Sequence, residues 1–161
     1  DHHIISVFTQ PDKPFGRKGE LKPSEIKKFA QSKNIPIYQP EKIREQEAID
    51  QLSLGNPDVL VVVAYGQILP EAVLRIPKIA CINLHASLLP LYRGASPIQA
   101  AILNGDEQTG LTSMYIAQGL DDGDLLKSKE LIIDKDETGG SLHDRLAALG
   151  PELLIESLNL L

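Results

Sequence analysis

The hydrophobic pattern changes period repeatedly along the chain. "IISVFTQ" (4–10) is dense in β-branched and aromatic residues and predicts a strand. "PDKPFGRKGELKPS" (11–24) is punctuated by Pro and Gly and predicts a long loop. Ser24 then stands where a cap belongs, ahead of Ile26, Phe29 and Ala30 at helical spacing. "IPIYQ" predicts a short strand. A helix follows over 43–54, with Ala48, Ile49 and Leu52 on one face, until "GNPD" stops it. "VLVVVAYG" (59–66) is a continuous apolar run, as expected of a parallel strand covered on both faces. "PEAVLRI" reads as a short helix with Pro in its first turn, and "KIACINLH" as the next strand. Ser96 and Pro97 open a helix that Gly105 closes. "LTSMYIAQ" and "DLLKSKELII" predict a meander-like strand pair. Ser141 onward is helical, with a break expected at Gly150–Pro151.

Strands alternating with helices predict an α/β fold with a mostly parallel sheet and flanking helices. Ligands bind such sheets beyond the carboxyl ends of the strands. "VVVAYGQILP" and "CINLHASLLP" both leave an apolar strand for a loop, so their tips are expected in that crevice.

Composition narrows the class. At 161 residues and 42% apolar, the chain can bury one sizeable core, and 24% charged residues argue against disorder. There is no apolar run of the ~18 residues that a membrane span requires. Cys81 is the single cysteine, so no internal disulfide can form; this fits a reducing compartment, cytoplasm or organellar matrix. The net charge of −6 is unevenly spread: residues 1–44 hold nine Lys or Arg against five Asp or Glu. A basic front on an acidic body suits an anionic partner, although a solvated lysine-rich helix has the same signature.

The chemistry concentrates in "INLHASLLPLYRGASPIQAAILNGD" (82–106). Asn83 and His85 are two apart on a strand and point to one face. Asn supplies a neutral N–H donor, and His a donor and a transferable proton. Two such donors suit an oxygen that gains negative charge in acyl transfer. A carboxylate could orient the imidazole, and "QGLDDGD" offers Asp121, Asp122 and Asp124. By itself an N-x-H also fits a histidine satisfied by backbone at a strand end. "DDGD" lacks the spacing and the closing Glu of a calcium loop, so no metal site is expected. Cys81 reads as a buried structural thiol. There is no G-x-G-x-x-G, phosphate loop or G-x-S-x-G.

The composite N-x-H-x-S-L-L-P, R-G-x-x-P, N-G-D-x-x-T-G and G-L-D-x-G-D resembles the signature of the 10-formyltetrahydrofolate-dependent formyltransferases. Asn83 and Asp121 lie 38 apart, matching that signature. "VFTQPDKPFGRKGELKPSEIK" resembles the basic loop of the methionyl-tRNA formyltransferase branch. The resemblance implies a Rossmann-like sheet and direct formyl transfer from 10-formyltetrahydrofolate to methionine on initiator tRNA, with neither metal nor covalent enzyme intermediate. It implies catalytic roles for Asn83, His85 and Asp121, and folate contacts from Gln67, Ile68, Leu69, Ser87, Leu88, Leu89, Pro90, Ala117, Gln118 and Gly119. It places Lys13, Arg17, Lys18 and Lys22 at the tRNA. An amino-sugar nucleotide acceptor, or a folate- or RNA-binding module without catalysis, are the alternatives.

Two parts of the family pattern are not found: a first strand and helix with a G-T-P-x-F-type loop, and a C-terminal domain. The expectation is that residues 1–161 are part of an N-terminal catalytic domain, truncated at both ends and monomeric when intact, with little activity or stability alone.

Overall fold

Residues 2–15 and 20–161 are described in a computed structural model. The chain divides into two units. One takes in the chain up to Asp58 together with Tyr65–Lys78; the other comprises Val59–Ala64 and Ile79–Leu161.

In the first unit, β1 (Val7–Phe8) pairs in parallel with β4 (Ile37–Tyr38), and the rings of Phe8 and Tyr38 stack at 4.9 Å. The strand expected over 4–10 is thus confined to two residues. The expected loop at 11–24 contains an antiparallel ribbon, β2 (Lys13–Phe15) against β3 (Glu20–Lys22), with Lys13 opposite Lys22. Pro14 is tolerated because a two-stranded ribbon has only edges. Asp12 anchors the base of this ribbon. Lys27 Nζ donates to Asp12 at 2.7 Å and Gln39 Nε2 at 2.9 Å, and both hold its carboxyl below the usual carboxylate range.

Ser24 caps α1 (Glu25–Ser32) by accepting from the Lys27 N–H at 3.1 Å. Only Ala30 of the predicted apolar face is buried; Ile26 and Phe29 are exposed, since α1 packs on the two-residue β4, which offers little to cover. The helix α2 (Gln46–Leu54) starts three residues later than expected but buries Ala48 and Leu52 as predicted. Pro70 precedes the one-turn α3 (Glu71–Leu74).

The second unit is a four-stranded sheet in the order β5 (Val59–Val62), β6 (Ala80–His85), β7 (Gln108–Tyr115), β8 (Leu125–Ile132). The β5–β6 pair is parallel; β6–β7 and β7–β8 are antiparallel, the latter being the predicted meander. The α/β class is borne out, with a mixed sheet. The apolar run at 59–66 was expected to lie under cover on both faces. Only Val59–Val62 of it forms a strand, parallel to β6 and at the edge of this sheet; Val61 is 37% exposed and Val63, just beyond the strand, 54%.

Two helices flank the sheet. The helix α4 (Pro97–Asn104) ends as expected at Gly105, in the left-handed region at φ 67°. Ser96 does not cap it through its hydroxyl; it is itself left-handed, and Pro97 starts the helix. The helix α5 (Gly139–Leu158) opens on a capping box between Thr138 and Ser141 and continues through Pro151 without the predicted break. The reason is packing on both sides of the proline. Leu142, Leu146 and Leu153 are fully or nearly fully buried against Leu111 and Leu84. Each such leucine contributes about 1.5–3 kcal/mol, which together outweighs the roughly 3 kcal/mol that an interior proline costs.

Candidate active site

The β6 register builds the site. Asn83 and His85 sit one residue apart from Leu84, so they share the face opposite the α5 core, and pair across to Met114 and Thr112 of β7. His85 is only 7% exposed; Asn83 is half-buried.

The turn after β7 returns Asp121 to this face. It is closed by the Tyr115 N–H donating to the Asp124 carbonyl at 2.9 Å. Gly123 permits the closure, because a Cβ there would meet the Tyr115 oxygen at 2.0 Å. Asp121 itself sits at φ 48°, a conformation that Asp tolerates better than most residues. Its carboxylate accepts from Asn83 Nδ2 at 3.4 Å and from the Gly94 N–H at 2.8 Å, and lies 3.5 Å from His85 Nδ1. On the other side of the ring, His85 Nε2 is 2.9 Å from the Tyr92 carbonyl.

The loop between β6 and α4 is tied to the sheet by Thr112. Its hydroxyl donates to the Ser87 carbonyl at 2.7 Å and accepts from the Leu89 N–H at 3.2 Å. Gly110 makes room for this loop: a Cβ there would lie 2.6 Å from Leu88 Cδ2.

The predicted residues fall as follows. Asn83, His85 and Asp121, remote in sequence, converge. Ser87 is fully buried, and its hydroxyl is committed to the Leu91 carbonyl at 2.6 Å, so only its backbone is left for a ligand. Leu88 and Leu89 are half-buried and Pro90 exposed; Ala117, Gln118 and Gly119 are exposed on the turn that carries Asp121. Gln67, Ile68 and Leu69 belong to the first unit. There the Gln67 side chain accepts from the Ile43 N–H at 2.8 Å and donates to the Glu41 carbonyl at 3.1 Å. Ile68 is 89% exposed and Leu69 half-buried. Lys13 and Lys22 are exposed on the ribbon; Arg17 and Lys18 lie outside the described residues.

Sequence reasoning missed Thr112 and two backbone groups, the Tyr92 carbonyl and the Gly94 N–H. Only the pairing register points to Thr112. Cys81 lies on the same face as Asn83 but is buried, and burial pushes its thiol up to about 11, which removes it as a nucleophile near neutrality. Among the described residues, no group of three or more His, Cys, Asp or Glu side chains could hold a metal ion. Nor is any helix among them long and apolar enough to cross a membrane.

Taken together, the site offers a neutral amide donor, an imidazole and a carboxylate at the carboxyl end of a strand. That arrangement can stabilise a developing oxyanion and move a proton.

Comparison with known proteins agrees. A family model described as formyl transferase matches residues 1–158. The chain is 52% identical over its whole length to a methionyl-tRNA formyltransferase of Clostridioides difficile (strain 630), covering 52% of that protein. It is 51% identical over 160 residues to a methionyl-tRNA formyltransferase of Legionella pneumophila (strain Corby), covering 51% of it. It thus spans about half the length of these curated relatives. Its fold resembles the crystal structure of a phosphoribosylglycinamide formyltransferase from Bacillus halodurans, with a TM-score of 0.79 at 20% identity over 95% of this chain and 92% of that one. From motifs, site geometry and family match alike, this chain belongs to the formyl transferase family.

Proposed function

We propose that the protein transfers the formyl group of 10-formyltetrahydrofolate to the α-amine of methionine carried on initiator tRNA. The observation that carries this reading is the convergence of Asn83, His85 and Asp121 at the end of β6. The formyl donor supplies an activated acyl carbon whose oxygen becomes anionic under attack. Asn83 Nδ2 donates to that oxygen, and so does the Nδ1–H of a protonated His85, whose Nε2–H is taken by the Tyr92 carbonyl. In comparable sites one such donor contributes about 3–4 kcal/mol. Asp121 keeps the imidazole oriented and provides the counter-charge. It accepts the proton released by the amine, directly or through water, and returns it to N10 as the bond from the formyl carbon to N10 breaks and tetrahydrofolate leaves.

Residues of the second unit fit the donor's flat heterocycle. Leu88 and Leu89 supply apolar surface on the loop that follows His85, and the exposed residues Ala117–Gly119 supply backbone polar groups on the turn that carries Asp121.

The tRNA acceptor is supported by the β2–β3 ribbon and by the names of the curated relatives. Lys13 and Lys22 are direct cross-strand partners on exposed positions. Two cations presented on one exposed ribbon suit contact with a phosphate backbone.

The test is a formyl-transfer assay with 10-formyltetrahydrofolate and methionine-charged initiator tRNA, run on the chain and on Asn83→Ala and His85→Ala. Each variant is expected to lose roughly 100- to 1000-fold in kcat with little change in folate affinity. Near-normal turnover by either variant would refute the assignment. Formylation of an amino-sugar nucleotide in place of the charged tRNA would move the acceptor to that class.

A further inference from the structure

His85 has a second neighbour whose chemistry is one-sided. The Tyr92 carbonyl, 2.9 Å from Nε2, can only accept, so Nε2 must carry a hydrogen. That leaves Nδ1 facing Asp121. Which nitrogen holds the proton is set by the hydrogen bond the other makes, so the position of this carbonyl matters to the site.

The carbonyl is not held by regular structure. Tyr92 sits at φ 54° in an irregular loop, a conformation that is unfavourable for an aromatic residue and persists only where its surroundings enforce it. The enforcement comes through its side chain. The Tyr92 hydroxyl donates to Asp106 Oδ2 at 2.6 Å and accepts from Asn104 Nδ2 at 2.8 Å. Asn104 is the last residue of α4, and Asp106 follows the left-handed Gly105 that ends it. The far corner of the helix therefore grips the tyrosine whose backbone meets His85. A phenylalanine would fill the same ring volume, so what the hydroxyl adds is this grip.

We propose that Tyr92 is a positioning residue for His85: the bonds of its hydroxyl to Asp106 and Asn104 fix the carbonyl that sets the tautomer and orientation of the imidazole. The inference rests on the proposed role of His85, but its test involves no formyl donor or acceptor, so failure of one reading is separable from failure of the other.

The experiment is 1H–15N NMR of the 161-residue chain labelled at histidine, with His85→Gln assigning the signal among the four histidines. The unsubstituted chain is expected to show a His85 Nε2–H proton protected from solvent exchange. Tyr92→Phe should lose that protected signal while the methyl resonances of Leu142, Leu146 and Leu153 stay in place. Asp106→Leu should do the same, and Asp106→Asn, which keeps an acceptor oxygen, should retain the signal. If Tyr92→Phe does not fold, Asn104→Ala at its exposed position carries the test, with faster exchange of the same proton expected. A protected Nε2–H that survives intact in folded Tyr92→Phe or, failing that, in Asn104→Ala overturns the proposal.

Discussion

Asp121 is where three parts of the chain meet: a strand through Asn83 and His85, a loop through the Gly94 N–H, and its own turn. Asp121→Asn keeps the shape and an acceptor for Gly94 but removes the charge facing His85. The expected result is a loss of at least about 100-fold in kcat with an unchanged melting temperature, checked by steady-state kinetics and calorimetry. Cys81 gives a contrasting prediction. Buried, with its thiol pushed up to about 11, it should resist Ellman's reagent at pH 8 in the native protein and react fully in denaturant. At this scale the three polar side chains were legible, because their types and spacing form a motif. The Tyr92 carbonyl and the Gly94 N–H were not, because every residue but proline carries both groups and only folding decides which ones face a site. The sequence likewise gave no sign that the Ser87 hydroxyl would be spent on the Leu91 carbonyl.

Between elements, α5 is fastened to β8 by charge as well as by its leucines. Lys129 Nζ lies 2.8 Å from Glu152 and 3.0 Å from Glu156, and Lys127 Nζ is 2.8 Å from Glu156. The bonds from Lys127 and then Lys129 hold Glu156 below the usual carboxylate range; Glu152 chiefly holds Lys129 above the usual lysine range. The carboxylate's contribution is therefore present above the ordinary glutamate range and lost as pH falls through its depressed folded value. The lysine's contribution is present below the ordinary lysine range and lost only as pH rises through its elevated folded value. Thermal stability should be flat around neutrality and fall in acid, and Glu156→Gln should blunt the acid limb; an identical acid limb in that variant would count against the fastening. In the apolar layer, Leu153→Ala should cost about 2–5 kcal/mol in denaturant unfolding. Elements with a strong period were legible: α2, α4 and the β7–β8 meander lie close to where the pattern put them. Pro151 misled because local rules count the lost hydrogen bond and cannot see the leucines buried on either side of it. The β2–β3 ribbon was missed because Pro and Gly mark it as loop, and an edge ribbon is the setting where a strand tolerates Pro.

For the whole molecule, the basic front is expected to govern nucleic-acid binding and the β6 site to govern chemistry. Lys13→Ala and Lys22→Ala should each weaken tRNA binding and lower the slope of log K against log salt by about 1, leaving folate affinity unchanged. Equilibrium binding at several salt concentrations checks this, and a salt slope unaffected by both substitutions would remove the ribbon from the tRNA contact. The family was legible in the sequence because a composite of four short motifs is far more specific than any one of them. The sheet was less so: an apolar run reports that a strand forms, and not how many neighbours it finds.

An apolar edge strand has consequences for how the protein is made. The edge strand β5 leaves the ribosome about 18 residues ahead of β6, the neighbour it pairs with. At about 5–20 residues per second, its valines stay unmatched for roughly 1–4 s. While unmatched, such an apolar edge is a template for pairing with another chain, a hazard that charged residues on edge strands guard against. Yield from cells should accordingly depend on the speed of translation through residues 63–85, and slowing it there with rare codons should shift product from the soluble to the aggregated fraction.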